Sequence, residues 1–254
     1  MYGLLKEKKA VVTGGAQGIG RAIAQIYAEN GADVVVADMN LQTAIQTSQE
    51  IEEKTGRQIS AFKCDVSDEG SVKALMNFAK DKMGRIDIVC NSAGICVHSE
   101  ILDMNVDLWD KIFAVNVRGT FLVNQAAARV MKEQGGGKIV DISSCSAKKP
   151  TYEEAGYCAS KGAVGSFIRV AALELGKYGI NVNAVCPGAT DTEMVRTTLL
   201  TTPEIEQEWI DKTALKKLGR PVDQARVALF LSSELADHIT GESIICSAGE
   251  LMGQ

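Results

Sequence analysis

The sequence predicts an α/β fold, a single domain built as an open, doubly wound, seven-stranded parallel sheet with helices on both faces. Two observations carry this expectation. Seven short runs rich in β-branched residues alternate with longer segments of helical period across the 254 residues, the pattern of parallel strands joined by crossover helices. The first run ends in a glycine-rich turn that opens a helix, "VVTGGAQGIGRAIAQ", and this favours an open doubly wound sheet over an eight-stranded barrel of similar length.

The expected strands are, in order, "KAVVTG", "DVVVAD", "ISAFKCD", "IDIVCNSAG", "GKIVDISS", "INVNAVCPG" and "ESIICSAG". Between them the helical segments are "GIGRAIAQIYAEN", "LQTAIQTSQEIEEKTG", "DEGSVKALMNFAKDKMG", a long stretch from about Asp107 to Gln134, "AGYCASKGAVGSFIRVAALELGKYG" and "VDQARVALFLSSELA". Right-handed crossovers of this length give the Rossmann arrangement. The sixth gap carries an extra insertion at about 191–218, expected to be a substrate lid. No Pro- or Ser-rich linker and no repeat divides the chain, so 1–254 is read as one domain.

Composition narrows the function. A hydrophobic content of 46% supports a full core, and the net charge of −5 argues against a grip on nucleic acid. No apolar run is long enough to cross a bilayer and no secretory signal opens the chain, so a cytoplasmic protein without a membrane partner is expected. The seven cysteines show no Cys-x-x-Cys spacing and sit mostly in apolar runs, as Cys90, Cys186 and Cys246 do; they read as reduced core residues, with no metal site. Only two histidines, His98 and His238, are present, too few for a histidine-based triad or metal cluster.

The first turn holds Gly14, Gly15, Gly18 and Gly20. A helix N-terminus offers unpaired N–H groups and partial positive charge, and glycines let a pyrophosphate approach the backbone. About 20 residues on, the second strand ends at Asp38, where a carboxylate can accept both hydroxyl hydrogens of an adenosine ribose. A 2'-phosphate would meet that charge, and Gly15, Ala16, Gln17 and Met39 offer it no cation. NAD is therefore preferred over NADP.

Those elements combine with "CDVSD" (64–68), "NSAG" (91–94), "NVRG" (116–119), "ISS" (142–144), "YCASK" (157–161) and "PGATDT" (187–192). In this order and spacing the chain resembles the short-chain dehydrogenases/reductases over nearly its whole length. The resemblance implies a catalytic set of Asn116, Ser144, Tyr157 and Lys161, and a cofactor site formed by Gly14, Gln17, Gly18, Ile19, Gly20, Asp38, Met39, Asp65, Val66, Asn91, Ala93, Gly94, Tyr157, Lys161, Pro187, Gly188, Thr190 and Thr192. Asp65 and Val66 would hold the adenine, Asn91 would lie beside the ribose, and the segment from Pro187 would approach the nicotinamide. Ser92 departs from the family's frequent second Asn, and "CSAGEL" lacks its frequent Asp-Gly-Gly.

The chemistry explains the residue types. Oxidising a secondary alcohol needs a base for the hydroxyl proton while hydride leaves, and a free tyrosine, with a pKa of about 10, is a poor one. Lys161 lies one helical turn from Tyr157 and is expected to favour phenolate; lowering that pKa to about 7 represents roughly 4 kcal/mol. Ser144 would orient the substrate oxygen, and Asn116 would hold a water that relays the proton.

For the substrate, Cys96, His98, Ser146 and Lys148 are the candidates, with Lys149, Tyr152 and Glu154 nearby. This polar set points to a hydroxylated or anionic small molecule more than to a steroid. "SSCSAKKPTYEEAGY" and "TGESIICSAGELM" are loosely similar to sorbitol dehydrogenases within the family, which implies a polyol and its ketone. A 3-oxoacyl-[acyl-carrier-protein] reductase is the rival enzyme, disfavoured by Asp38, and a non-catalytic NAD-binding regulator is the rival of another class. The apolar character of the 107–134 and 157–178 segments, together with the resemblance, implies a homotetramer or homodimer.

Overall fold

The computed structural model describes residues 3–252; residues 1, 2, 253 and 254 of the expected domain lie outside them. All seven expected runs are strands: β1 (Lys9–Thr13), β2 (Asp33–Asp38), β3 (Ile59–Lys63), β4 (Ile88–Asn91), β5 (Gly137–Ile142), β6 (Ile180–Pro187) and β7 (Ser243–Cys246). They form one parallel sheet in the order β3-β2-β1-β4-β5-β6-β7. The helices are α1 (Gly18–Glu29), α2 (Leu41–Thr55), α3 (Glu69–Met83), α4 (Val106–Phe113), α5 (Gly119–Gln134), α6 (Ala155–Leu175), α7 (Glu193–Thr198), α8 (Pro203–Asp211) and α9 (Pro221–Ser232).

The β-branched runs exist because the sheet is buried on both faces. Successive side chains of a strand point to opposite sides, so Val11 joins Val35, Val89, Ile139 and Val182 in the core under α3, α5 and α6. Its neighbours Ala10 and Val12 join Val34, Val36, Val140 and Val185 under α1, α2 and α9. Full burial of each valine or isoleucine contributes about 1.5–3 kcal/mol, which leaves little tolerance for a polar side chain mid-strand.

Helix starts differ in a way that matters for the cleft. Asn40, Asp68, Asn105, Thr192 and Thr202 cap α2, α3, α4, α7 and α8 by accepting backbone N–H bonds. At α1, Gln17 makes no such bond, and the first-turn N–H groups remain available.

Two segments depart from a plain reading. The 107–134 stretch is broken by a π-helical turn over Ala114–Arg118 that buries Asn116, a local widening that helices show at functional sites. The 191–218 insertion folds as α7 and α8, and neither buries a residue. A bridge between Thr190 and Gly219 pinches its neck. No helix among the described residues is long and apolar enough to cross a membrane.

Candidate active site

Strand order reverses between β1 and β4, and the C-terminal ends of the strands there open into a cavity of about 510 Å³. Gly14, Gln17, Gly18, Ile19 and Gly20 line it from the α1 turn, Asp38 and Met39 from the end of β2, and Asp65 and Val66 from beyond β3. Ala93 and Gly94, Pro187, Gly188, Thr190 and Thr192, and Tyr157 with Lys161 complete that wall. The turn is closed on itself: a Cβ at Gly20 would stand 2.0 Å from Gly14 O, and one at Gly14 would stand 2.8 Å from Ala93 Cα. An uncapped helix start beside glycines that admit no side chain fits a dinucleotide's pyrophosphate. Asp38 is held by N–H bonds from Ala16 to Oδ2 (3.2 Å) and from Asn40 to Oδ1 (3.0 Å), and both oxygens keep acceptor capacity for a ribose diol.

Asn91 corrects the expectation made for it. Its side chain turns into the core, where Oδ1 accepts from Thr13 Oγ1 (2.6 Å) and Nδ2 donates to Thr120 Oγ1 and Asp141 Oδ1 (both 3.1 Å). The cleft wall after β4 is made instead by Ser92, Ala93, Gly94 and Ile95.

Tyr157 and Lys161 do converge, because α6 puts them on one face a turn apart. The Lys161 ammonium sits 5.6 Å from the centre of the Tyr157 ring and donates to Ile142 O at 2.8 Å. Ser144, at the end of β5, accepts a bond from Ser146 N at 3.1 Å. Burial raises the Tyr157 pKa, Cys96 adds to this, and Ser144 opposes it. Lys161 is itself lowered to about 8 by burial, partly offset by Asp141. With the protein's groups alone, the phenol keeps its proton.

The Asn116 side chain is fixed by three hydrogen bonds. Its amide donates to Ile95 O (2.9 Å) and Ser160 Oγ (3.0 Å) and accepts from Ile95 N (2.9 Å). Ser160 Oγ in turn donates to Tyr157 O at 2.7 Å. Both amide hydrogens are committed, so the side chain braces the loop after β4 against α6, while Oδ1 keeps a lone pair for a further donor.

Of the substrate candidates, Cys96, Ser144 and Ser146 line the cavity. His98 stands behind them, 3.0 Å from Glu154 Oε1, and the buried Glu154 lines the cavity with Oε2 accepting from Ser146 Oγ at 3.2 Å. Lys148 is exposed and away from the cavity, and Lys149 pairs with Glu250. The expected polar wall is thus only half of the surface: α7, α8 and the segment between them add Met194, Val195, Leu199 and Trp209.

The reading of the residues missed Asp141, buried mid-sheet with Oδ1 accepting from Asn91 and Asn124 and Oδ2 without a partner. Burial raises its pKa to about 6, against the pull of those two amides. The carboxylate in the otherwise apolar run "KIVDI" was the available signal.

With this geometry in view, the comparisons are consistent. The family described as Enoyl-(Acyl carrier protein) reductase matches residues 14–250. An uncharacterized oxidoreductase of Bacillus subtilis is 39% identical over 97% of this chain and 92% of its own length. The 7alpha-hydroxysteroid dehydrogenase of Escherichia coli is 36% identical over 96% of this chain and 94% of its own. A solved 7alpha-hydroxysteroid dehydrogenase, complexed with NADH and 7-oxo glycochenodeoxycholic acid, superposes with a TM-score of 0.93 at 36% identity, covering 98% of this chain and 96% of that one. The chain belongs to the short-chain dehydrogenase/reductase family of oxidoreductases, which act on CH–OH and keto groups with a nicotinamide cofactor.

Proposed function

We propose that the chain is an NAD-dependent dehydrogenase interconverting a small polyol-type secondary alcohol and its ketone, on one catalytic domain spanning 1–254 with residues 191–218 as the lid. The observation that carries this reading is the convergence of Tyr157, Lys161 and Ser144 on a cleft with an uncapped helix start at its other end. Asp38 selects NAD, since its carboxylate accepts from a ribose diol and repels a 2'-phosphate. NAD⁺, when bound, supplies the hydride acceptor and a positive charge near the phenol.

Tyr157, kept protonated by burial, is the acid that donates to the ketone oxygen; beside a positive charge it becomes the base that takes the alcohol's proton. Lys161, with a pKa of about 8, passes that proton onward, and Ser144 orients the substrate oxygen. Asn116 keeps the Ile95 and Tyr157 backbones in register.

Substrate choice follows from Glu154 and Ser146. A buried carboxylate in the wall accepts bonds from additional hydroxyls and repels anions. The same 510 Å³ must take nucleotide and substrate together, which favours a compact alcohol. A second reading, a hydroxysteroid substrate, is favoured by the apolar cover of Met194, Val195, Leu199 and Trp209 and by the hydroxysteroid relatives.

A panel of polyols, hydroxysteroids and a 3-oxoacyl thioester, each run with NAD(H) and NADP(H) at the nicotinamide absorbance, separates these readings. Polyol turnover at least about tenfold faster with NAD is the expected result. Turnover of hydroxysteroids alone moves the assignment to the second reading, thioester reduction alone makes it an acyl reductase, and cofactor binding without any turnover makes it a regulator.

Phe121, Val170 and Leu173 expose apolar surface on α5 and α6, and we assign it to a two-fold interface in a homotetramer or homodimer. The seven free thiols suit a reducing, cytoplasmic setting.

A further inference from the structure

Beside the substrate wall, three side chains of different chemistry converge. Cys96 and His98 are two apart in the loop after β4. The bridge between Ser99 and Glu154 brings the buried carboxylate alongside them. Cys96 Sγ, a His98 ring nitrogen and a Glu154 oxygen all lie within 4.8 Å of one another.

The ligands of one tetrahedral zinc ion stand roughly 3.3–3.7 Å apart, given metal–ligand bonds of about 2.0–2.3 Å. The 3.0 Å separation of His98 Nε2 and Glu154 Oε1 is already close to that. The second Glu154 oxygen accepts from Ser146 Oγ at 3.2 Å, the kind of outer hydrogen bond that orients a ligating carboxylate. Without a metal the Cys96 thiol, its pKa raised by burial, hydrogen-bonds to Glu154, and a metal ion would take the place of that proton. We propose that Cys96, His98 and Glu154 form a site for a divalent transition-metal ion of zinc type, whose fourth position opens to the substrate cavity and whose occupancy excludes substrate.

The chemistry balances without redox. The Cys96 S–H bond breaks, its proton goes to solvent, and a sulfur–metal bond forms; neutral His98 and the Glu154 carboxylate supply the other two bonds. A thiolate and an imidazole select zinc or cobalt over magnesium or calcium. Because Cys96 and Glu154 line the same cavity as Ser144 and Tyr157, a metal there stands in the substrate's path.

Cobalt(II) chloride is the probe, titrated into the full chain under reducing, chelator-free conditions. The expected result is one equivalent bound, with a thiolate-to-cobalt charge-transfer band and intense tetrahedral visible bands, displaced by zinc and unaffected by magnesium. Cys96→Ser should remove the charge-transfer band. His98→Gln should keep it while weakening affinity at least about 100-fold, and Ser146→Ala should weaken affinity about 10–100-fold. Cys158→Ser should match the wild type. Circular dichroism checks each variant's fold, and His98→Gln decides the matter if Cys96→Ser does not fold. Absence of the charge-transfer band at one equivalent, or its persistence in folded Cys96→Ser, overturns the site. Zinc inhibition of polyol turnover, reversed by a chelator, tests the exclusion of substrate; cobalt binding without inhibition overturns that part. This last arm rests on the proposed function, whereas the spectroscopic arms do not, so the two can fail separately.

Discussion

Around the α1 turn the cleft is made mostly by backbone, from two short stretches: glycines that admit no Cβ at an uncapped helix start, and at the end of β2 one carboxylate pinned by two N–H bonds. Across the cleft, the wall is made by side chains from separate segments, among them Ile95 and Cys96, Ser144 to Glu154, residues 193–209 and Glu250. The first region is anchored by α1, which buries Gly20, Ile23, Ala24, Tyr27 and Ala28, whereas neither α7 nor α8 buries a residue. A site built from local backbone is rigid and serves one ligand; a site assembled by convergence can change its chemistry by changing single side chains.

The largest expected contrast comes from Gly20→Ala. The new methyl would meet Gly14 O at 2.0 Å, so the turn must move, and NADH affinity should fall beyond detection in a fluorescence titration, with about 1–3 kcal/mol of stability lost. Unchanged NADH affinity would break the claim that backbone builds this half.

Asp141 lies beneath the seam between the halves, bonded to Asn91 of β4 and Asn124 of α5. Its folded pKa of about 6 lies above the ordinary 3.8, so the folded state keeps a proton that the unfolded chain releases. Stability from this group is present below about pH 4, is lost as pH rises to about 6, and stays lost above it, about 3 kcal/mol in all. Asp141→Asn removes that dependence. Urea unfolding at pH 4 and pH 7 should show the variant gaining about 2 kcal/mol on the wild type over the interval; parallel curves would contradict the assignment.

The smallest effect belongs to Glu154→Gln, which keeps the wall's shape and loses its charge. KM for a polyol should rise about tenfold, the cost of one charged hydrogen bond, while NADH affinity stays the same. A loss of NADH affinity would mean that the two halves are not separable.

The same division explains what the sequence disclosed. Seven strands, the glycine turn and Asp38 were legible because each rests on a local pattern: β-branched runs, φ-permissive glycines, a strand end at a fixed distance. The directions of the Asn91 and Asn116 side chains were not legible because they depend on partners far along the chain, Asp141 and Ser160 among them. Lys148 was a substrate candidate, yet it is exposed and does not line the cavity. The insertion's apolar contribution was hidden because Leu199 and Trp209 meet the cleft only once the chain has folded.

Tyr157→Phe tests the central claim most directly, with NADH affinity and alcohol-dependent NADH formation measured on the same preparation. The phenol's loss of its proton-transferring oxygen predicts affinity within about twofold of wild type and turnover down by about 10²–10⁴. Turnover that survives at a substantial fraction of the wild-type rate, with the nucleotide still bound, would contradict the account.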